Sequence, residues 1–166
     1  MTDNCARLAA LEAEAAIRRV AARYMALCDQ PPTAAPGIAF DDLFTDDLIW
    51  EGVGRRASAE FTRVEGRAAL LAWFDTMRQP PKYLFNVHYL TSESILVDGA
   101  EATGTWMMAQ AAVRISGEGE LRMARLSIRF RRDEDKWRIG HFQTESLFRL
   151  DLASDQVAGL VQGVAT

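Results

Sequence analysis

The sequence predicts an α+β protein, because helical patterns come first along the chain and strand patterns come last. Residues 3–28 repeat apolar side chains at helical spacing, and "GRAALLAWFDTMRQPP" gives a second helical pattern. After Lys82 the chain reads as long strands separated by short polar turns. These turns leave no room for crossover helices, so we expect the strands to pair as an antiparallel meander.

The first helix is predicted to begin at Asp3 or Asn4, either of which can cap its N-terminus, and to run to Cys28. Its apolar stripe contains Leu8, Leu11, Ile17, Val20, Ala21, Tyr24, Met25 and Cys28. Three prolines in "QPPTAAPG" exclude a continuation of the helix. We therefore expect a loop there, followed by a short helical stretch around residues 38–44.

The middle of the chain predicts two strands and then the second helix. "LIWEG" is expected to be the first strand and "SAEFTRVEG" the second. Pro80 and Pro81 end the helix that follows. The later strands are expected to turn at "VDGAE", "SGEGE" and "RRDEDK". Residues 153–166 are expected to form a loose helix or a tail.

Length and composition limit the classes of protein to consider. A chain of 166 residues fits a single domain over residues 1–166. With 49% hydrophobic and 25% charged residues, the composition is that of an ordinary globular protein. A net charge of -4 does not favour nucleic acid as a partner. No segment has the pattern of a signal peptide or a membrane span, so we expect a cytoplasmic protein without a membrane partner.

The residue types that usually hold metals and cofactors are sparse. Cys5 and Cys28 are too few for a disulfide framework or a zinc ligand set. The two histidines lie on separate predicted strands, and no clustered carboxylates accompany them. Phosphate-binding glycine loops and nucleophile elbows are absent from the sequence. We therefore expect neither a metal nor a cofactor.

Five pieces of the sequence, taken in order, resemble a known family: "IRRVAARYMALCD", "FDDLFTDDLIWEG", "VEGRAALLAWF", "NVHYLTSESILVDGAEATGTW" and "WRIGHFQTESLFRLD". Over residues 8–150 the chain resembles the nuclear-transport-factor-2-like superfamily, especially its SnoaL-like and scytalone-dehydratase-like branch. The resemblance implies a cone-shaped α+β barrel, in which N-terminal helices pack on a strongly curved, mixed and mostly antiparallel sheet around an apolar cavity. Because this fold serves dehydratases, isomerases, polyketide cyclases and non-catalytic subunits, it does not name the reaction.

His88 is the central candidate for catalysis. From the residues alone, a single strand histidine is more often structural than catalytic, and alternation leaves open which strand face is the inner one. Asp29 follows the first helix, where the macrodipole disfavours a carboxylate and a compensating group is expected. In the resemblance, the Tyr-x4-Asp spacing of Tyr24 and Asp29 matches a pair that faces a strand histidine. It implies His88 as the base, Asp29 as its orienting group and Tyr24 as a hydrogen-bond donor to the substrate.

Six further residues are candidates for contact with a substrate. Arg149 resembles an arginine that some relatives place near the cavity, and its alternative is a solvated strand end. Gln110 is the nearest polar residue where scytalone-type relatives carry a second histidine. The expected core and cavity lining includes Trp50, Phe61, Trp106 and Met108. His141 matches no family motif and is expected to be structural.

The leading functional hypothesis is a cofactor-independent, dehydratase-like lyase or isomerase that removes a proton from a small hydrophobic, hydroxylated carbonyl compound, with polycyclic and aromatic compounds among the candidates. One alternative is a non-catalytic ligand-binding or subunit-like domain. Another is aldol chemistry of the polyketide-cyclase kind, which needs an inner-strand acid, and Glu120 and Glu145 are unplaced. A homodimer or higher homo-oligomer is expected. Leu126, Ile128 and Phe130 fit either a covered sheet face or the interior.

Overall fold

The computed structural model describes residues 2–29, 39–55 and 63–160. The helices are α1 (Thr2–Cys28), α2 (Arg67–Arg78) and α3 (Ser154–Leu160), with a short 3₁₀ helix at Asp41–Leu43. The strands are β1 (Phe44–Val53), β2 (Val64–Glu65), β3 (Tyr83–Asp98), β4 (Glu101–Arg114), β5 (Gly119–Asp133) and β6 (Lys136–Leu152). The α+β class, the first helix and the three late hairpins are confirmed.

The described strands form one sheet in the order β2-β1-β6-β5-β4-β3. β1 runs parallel to β6, and every other neighbouring pair is antiparallel. The sheet is therefore mixed and mostly antiparallel, as the resemblance implied. Of the predicted strand "SAEFTRVEG", the structure shows Val64–Glu65, and residues 58–62 lie outside the described residues. The helical stretch expected at residues 38–44 is limited to the 3₁₀ helix.

The core lies between α1 and α2 and the face of the sheet that they cover, which we call the inner face. Ile17 and Ala21 of α1 are fully buried. Leu126, Ile128 and Phe130 of β5 are buried with them, so they belong to the interior and not to an exposed sheet face. Leu8 is exposed although the helical pattern placed it on the buried stripe, because burial along α1 begins only at residue 13. Among the described residues, no helix is long and apolar enough to span a membrane.

Bulges change which residues of β3 and β6 point inward. On β3, His88 and Leu90 face the core, whereas Ile95 and Val97 do so after the bulge. Ser92 lies within the bulge and has a φ of 52°. Two similar register shifts interrupt the pairing of β5 with β6. One inserted residue reverses the alternation of a strand, so these two strands show no single period of two.

Gly104 illustrates how closely the inner face is packed. A Cβ at this position would lie 2.3 Å from the indole of Trp106 on the same strand face. The indole also packs edge-on against Phe130, with a centroid separation of 6.2 Å. The Trp106 indole therefore occupies the space that a side chain at position 104 would need.

We expect Gly104→Ala to lower the free energy of unfolding by about 1–3 kcal/mol, because the new methyl group must displace a fully packed indole. Urea unfolding followed by tryptophan fluorescence measures this change. Thr103→Ala, one residue away on the opposite face, is the matched control. It should lower the free energy of unfolding by less than Gly104→Ala does. Equal stability of Gly104→Ala and the wild type would contradict the packing argument.

Candidate functional site

Asp29 and His88 meet where the C-terminal end of α1 reaches β3. The Asp29 oxygen Oδ1 lies 3.0 Å from the ring nitrogen Nδ1 of His88. The same oxygen accepts a hydrogen bond of 3.0 Å from the backbone N–H of His88. Both side chains are largely buried, with 8% of Asp29 and 11% of His88 exposed. The strand and the helix end thus form a carboxylate–imidazole pair.

The pair fixes the tautomer of the neutral imidazole. A carboxylate can only accept hydrogen bonds, so Nδ1 carries the proton and Nε2 carries the lone pair. Within the described part of the chain, Nε2 has no hydrogen-bond partner. The available base of His88 is therefore Nε2, on the side of the ring away from Asp29.

The electrostatic surroundings keep this ring neutral near pH 7. Burial lowers the pKa of His88 below its usual value, because the charged ring loses solvation. The hydrogen bond and the negative charge of Asp29 act in the opposite direction, and the positive charge of Arg122 lowers the pKa further. The neutral form, which a proton acceptor requires, therefore predominates at physiological pH.

Two side chains complete the end of α1 beside Asp29. The last carbonyl groups of a helix have no partner within the helix. Asn86 Nδ2 donates to the Cys28 carbonyl at 3.2 Å, and an Arg78 NH2 group donates to the Leu27 carbonyl at 2.7 Å. The two bonds from His88 stabilise the Asp29 carboxylate against the helix dipole. This is the compensating group that the sequence predicts.

A row of polar side chains crosses four strands from His88. The register pairs His88 with Gln110, Gln110 with Arg122, and Arg122 with Arg149. Cross-strand partners project to the same face of a sheet, so all four lie on the inner face. Gln110 also donates to Asn86 Oδ1 at 2.6 Å. The site is therefore a polar band on an otherwise apolar inner face.

Glu120 anchors the far end of this band. Its fully buried side chain contacts guanidinium nitrogens of Arg114 at 2.9 Å, Arg122 at 3.2 Å and Arg149 at 3.4 Å. The Tyr83 hydroxyl donates to it at 3.2 Å. Burial alone would raise the pKa of Glu120, but the neighbouring arginines outweigh burial and lower it. Glu120 is thus a stabilised anion and a weak base, which disfavours the role that the aldol alternative needs.

Sequence and structure comparisons place this architecture in a family. A family model described as SnoaL-like domain matches residues 9–143. The chain belongs to the SnoaL-like domain family. No match was found among curated protein sequences. The family model covers α1 from residue 9 onward, the whole of β1 to β5 and the first part of β6.

Solved structures similar to this SnoaL-like domain share its fold. A nuclear-transport-factor-2-like protein with a cystatin-like fold from Novosphingobium aromaticivorans is 27% identical, with a TM-score of 0.70 and coverage of 98% of this chain and 97% of that one. A type 2 hexachlorocyclohexane dehydrochlorinase is 17% identical, with a TM-score of 0.71 and coverage of 89% and 93%. A candidate scytalone dehydratase from N. aromaticivorans is 14% identical, with a TM-score of 0.70 and coverage of 92% and 93%. The superfamily and the cone-shaped fold predicted from sequence are confirmed.

Tyr24 lies in the aromatic core of the SnoaL-like domain. Its hydroxyl accepts a hydrogen bond of 3.0 Å from Trp50 Nε1 and contacts the Cys28 thiol. Rings of four phenylalanines surround it: Phe40, Phe44, Phe74 and Phe142. Burial raises the pKa of Tyr24 and raises that of Cys28 to about 12. This placement favours packing for Tyr24 and Trp50, and their contact with a substrate stays a prediction.

The remaining predicted substrate contacts fall in three settings. Trp106 and Met108 are buried on the inner face of β4, beside the polar band. Arg149 is held by Asp151 at 2.8 Å as well as by Glu120, so it is more than a solvated strand end. Phe61 lies outside the described residues.

His141, expected to be structural, lies on the outer face of the sheet in a network of its own. Its Nε2 is 2.8 Å from Glu51, and Arg129 contacts its Nδ1. Gln143 donates to the same Glu51 oxygen at 2.9 Å. A surface groove of about 430 Å³ borders His141 and Arg129. Both ring nitrogens are occupied, which fits the structural role.

Sequence reasoning missed Asn86, Arg122 and Glu120 as parts of the site. Asn86 carried a signal, since it lies two residues before His88 and shares its face. Arg122 and Glu120 can be placed in the site only when the pairing of β4 with β5 is known. That pairing has no bulge and follows from the "SGEGE" turn. Glu145, the other unplaced acid, lies on the outer face and pairs with Arg125 at 2.7 Å. Among the described residues, no cluster of ligand-type side chains fits a metal.

We expect an NMR titration of the His88 ring to give a pKa below about 6.5, because burial disfavours the imidazolium. In Asp29→Asn the pKa should fall further, since the carboxylate that favours the charged ring is gone. A His88→Ala sample assigns the signal, because the chain has only 2 histidines. A pKa that rises in Asp29→Asn would contradict the electrostatic account.

Proposed function

We propose that the protein is a cofactor-independent lyase that removes a proton next to a carbonyl group and expels a hydroxyl group from the adjacent carbon. The main support for this proposal is the 3.0 Å contact of Asp29 Oδ1 with His88 Nδ1, which leaves Nε2 as the base. Membership of the SnoaL-like domain family supports this class of reaction. The dehydrochlorinase and the candidate scytalone dehydratase with the same fold are named for eliminations, which also fits the proposal.

The proposed reaction needs no group beyond those of the protein. His88 Nε2 takes the proton from the carbon next to the carbonyl. The electron pair of that C–H bond forms the new C=C bond, and the C–O bond to the hydroxyl breaks. The imidazolium then gives its proton to the departing oxygen, which leaves as water. Asp29 holds the ring in the required tautomer and stabilises the transient positive charge.

The chemistry of the inner face supports a small and largely apolar substrate. Trp106, Met108 and Leu90 provide apolar surface beside His88. Gln110 and Arg122 provide polar groups along one line. Small-ligand sites typically combine an apolar lining with a few polar groups of this kind. An aromatic β-hydroxy ketone meets both requirements.

We expect His88→Ala to reduce kcat/KM for elimination at least about 100-fold, because the proton acceptor is lost. The test substrate is the aldol adduct of benzaldehyde and acetone, whose dehydration product, benzylideneacetone, absorbs in the ultraviolet. Asp29→Asn should reduce kcat more than it raises KM, since the carboxylate acts on the base and not on the substrate.

The matched control is His141→Gln, which removes the other histidine from the outer face. It should retain kcat/KM per folded molecule, and circular dichroism checks that each variant is folded. If wild type and His88→Ala have equal rates, proton abstraction by His88 is excluded. If the rates are equal and both proteins still bind the test substrate, the result would favour the alternative of a non-catalytic ligand-binding domain.

We further propose that the protein forms a homo-oligomer through the outer face of β3–β6. The register aligns Tyr89, Met123 and Phe148 in one row of this face, and all three are exposed. Leu121 and Leu150 are exposed in the adjacent row. A continuous apolar surface of this kind is uncommon on monomers and fits a second copy of the same face.

We expect Met123→Glu to shift the protein towards monomer, because it puts a charge at the centre of this apolar surface. Light scattering after size-exclusion chromatography measures the mass. Leu96→Glu is the control and should not change the mass, because Leu96 is an exposed outer position on β3 that lies outside the two rows. A monomeric wild type would refute the proposal.

A further inference from the structure

The hydrogen bonds around Asn86 fix the orientation of two side-chain amides. The Cys28 carbonyl can only accept, so the Asn86 atom that faces it at 3.2 Å must be the donor Nδ2. Asn86 Oδ1 therefore points to the other side, towards Gln110. The Gln110 atom 2.6 Å from Oδ1 must in turn be the donor Nε2. A backbone carbonyl at the end of α1 thus sets the orientation of the Gln110 side chain, which lies on β4, one strand away from the helix contact on β3.

We call the hydrogen-bonded chain from the Cys28 carbonyl through Asn86 to Gln110 the relay. In this orientation of the amides, the Gln110 carbonyl oxygen, Oε1, is the outer end of the relay. No described residue donates a hydrogen bond to it, and the Gln110 side chain is only partly buried. Gln110 is also the direct cross-strand partner of His88. Cross-strand partners have Cβ atoms about 4.5–5.5 Å apart, so a small ligand at His88 reaches Gln110 as well.

We propose that Gln110 Oε1 accepts a hydrogen bond from a hydroxyl group of the substrate and thereby selects alcohols over the corresponding ethers. The inference deepens the proposed lyase function and rests on it for the position of the substrate. The bond to Asn86 uses one N–H of Nε2 and fixes the direction of the amide, so that the acceptor Oε1 lies on the side of the amide away from Asn86. A group that brings only lone pairs would meet the lone pairs of Oε1.

The same contact would orient the leaving group. When the hydroxyl proton points to Oε1, the lone pairs of the hydroxyl oxygen are directed away from Gln110. The proton that His88 carries after abstraction can then pass to one of these lone pairs. The C–O bond breaks and water leaves with its original proton still hydrogen-bonded to Gln110. Gln110 contacts the substrate but exchanges no proton with it.

The test compares two substrates that give one product. The benzaldehyde–acetone aldol adduct loses water, and its O-methyl ether loses methanol, and both yield benzylideneacetone. We expect the wild type to prefer the alcohol in kcat/KM by at least about tenfold, the equivalent of one hydrogen bond to a buried partner. Gln110→Met keeps the approximate size of the side chain but has no comparable acceptor, so it should abolish most of this preference.

The Met variant separates hydrogen bonding from size. If Gln110→Met keeps the full preference for the alcohol, the extra methyl group of the ether explains it and the proposal is overturned. An equal rate for the two substrates in the wild type overturns it as well. Asn86→Leu tests the relay from the other end, because leucine neither donates to the Cys28 carbonyl nor accepts from Gln110 Nε2. It should reduce the preference and shift the side-chain amide NMR signals of Gln110.

Binding measurements distinguish a failure of this inference from a failure of the proposed reaction. If neither substrate turns over, the dissociation constants of the alcohol and the ether are measured by quenching of tryptophan fluorescence. Tighter binding of the alcohol that is lost in Gln110→Met supports the acceptor and rejects the lyase. Equal binding of both compounds, or binding of neither, rejects the acceptor.

Discussion

The burial of the Asp29 carboxylate against the C-terminal end of α1 is the constraint on which the site depends. A carboxylate at this position faces the negative end of a helix and has lost most of its water. It is stable there because β3 supplies two donors to one oxygen, a backbone N–H and an imidazole N–H, both from His88. The contact therefore fixes the helix end and the strand relative to each other, and it leaves the lone pair of His88 Nε2 on the side of the ring away from Asp29.

The polar groups of the inner face divide into two arrangements with different consequences. Near α1, Asn86 and Gln110 form a relay of neutral amides that ends on a backbone carbonyl. Further along the sheet, Glu120 gathers guanidinium groups from three strands. The neutral relay fixes the orientation of the Asn86 and Gln110 amides without adding charge. The ionic cluster contains Arg122, whose positive charge adds to the effect of burial in lowering the pKa of His88. Loss of the Glu120 carboxylate would leave three guanidinium groups close together without the anion that they share.

Much of the fold could be predicted from sequence patterns, and the features that could not be predicted have a physical cause in common. The order of helices and strands and the hairpin turns depend on local periodicity and turn residues, which the sequence displays directly. Inner and outer faces of β3 and β6 depend on bulges. Gly140 is the inserted residue in one bulge of β6, whereas the bulge around Ser92 of β3 contains no glycine and has no distinctive sequence. Ser92 takes a positive φ that no pattern predicts. Thus Asp29 and His88 were paired through family resemblance, while Arg122 and Glu120 needed the observed register.

The two histidines of this chain lie on opposite faces of one sheet and differ in how their lone pairs are used. Each ring donates to a carboxylate, His88 through Nδ1 and His141 through Nε2, so the two neutral rings are opposite tautomers. In His141 the remaining nitrogen is blocked by Arg129, while in His88 it has no partner among the described residues. Within the described ranges, the lone pair of His141 is therefore occupied and that of His88 is not, although each ring donates to a carboxylate. Whether a ring offers a basic nitrogen in this sheet is therefore set by whether a donor such as Arg129 occupies the nitrogen that does not face the carboxylate.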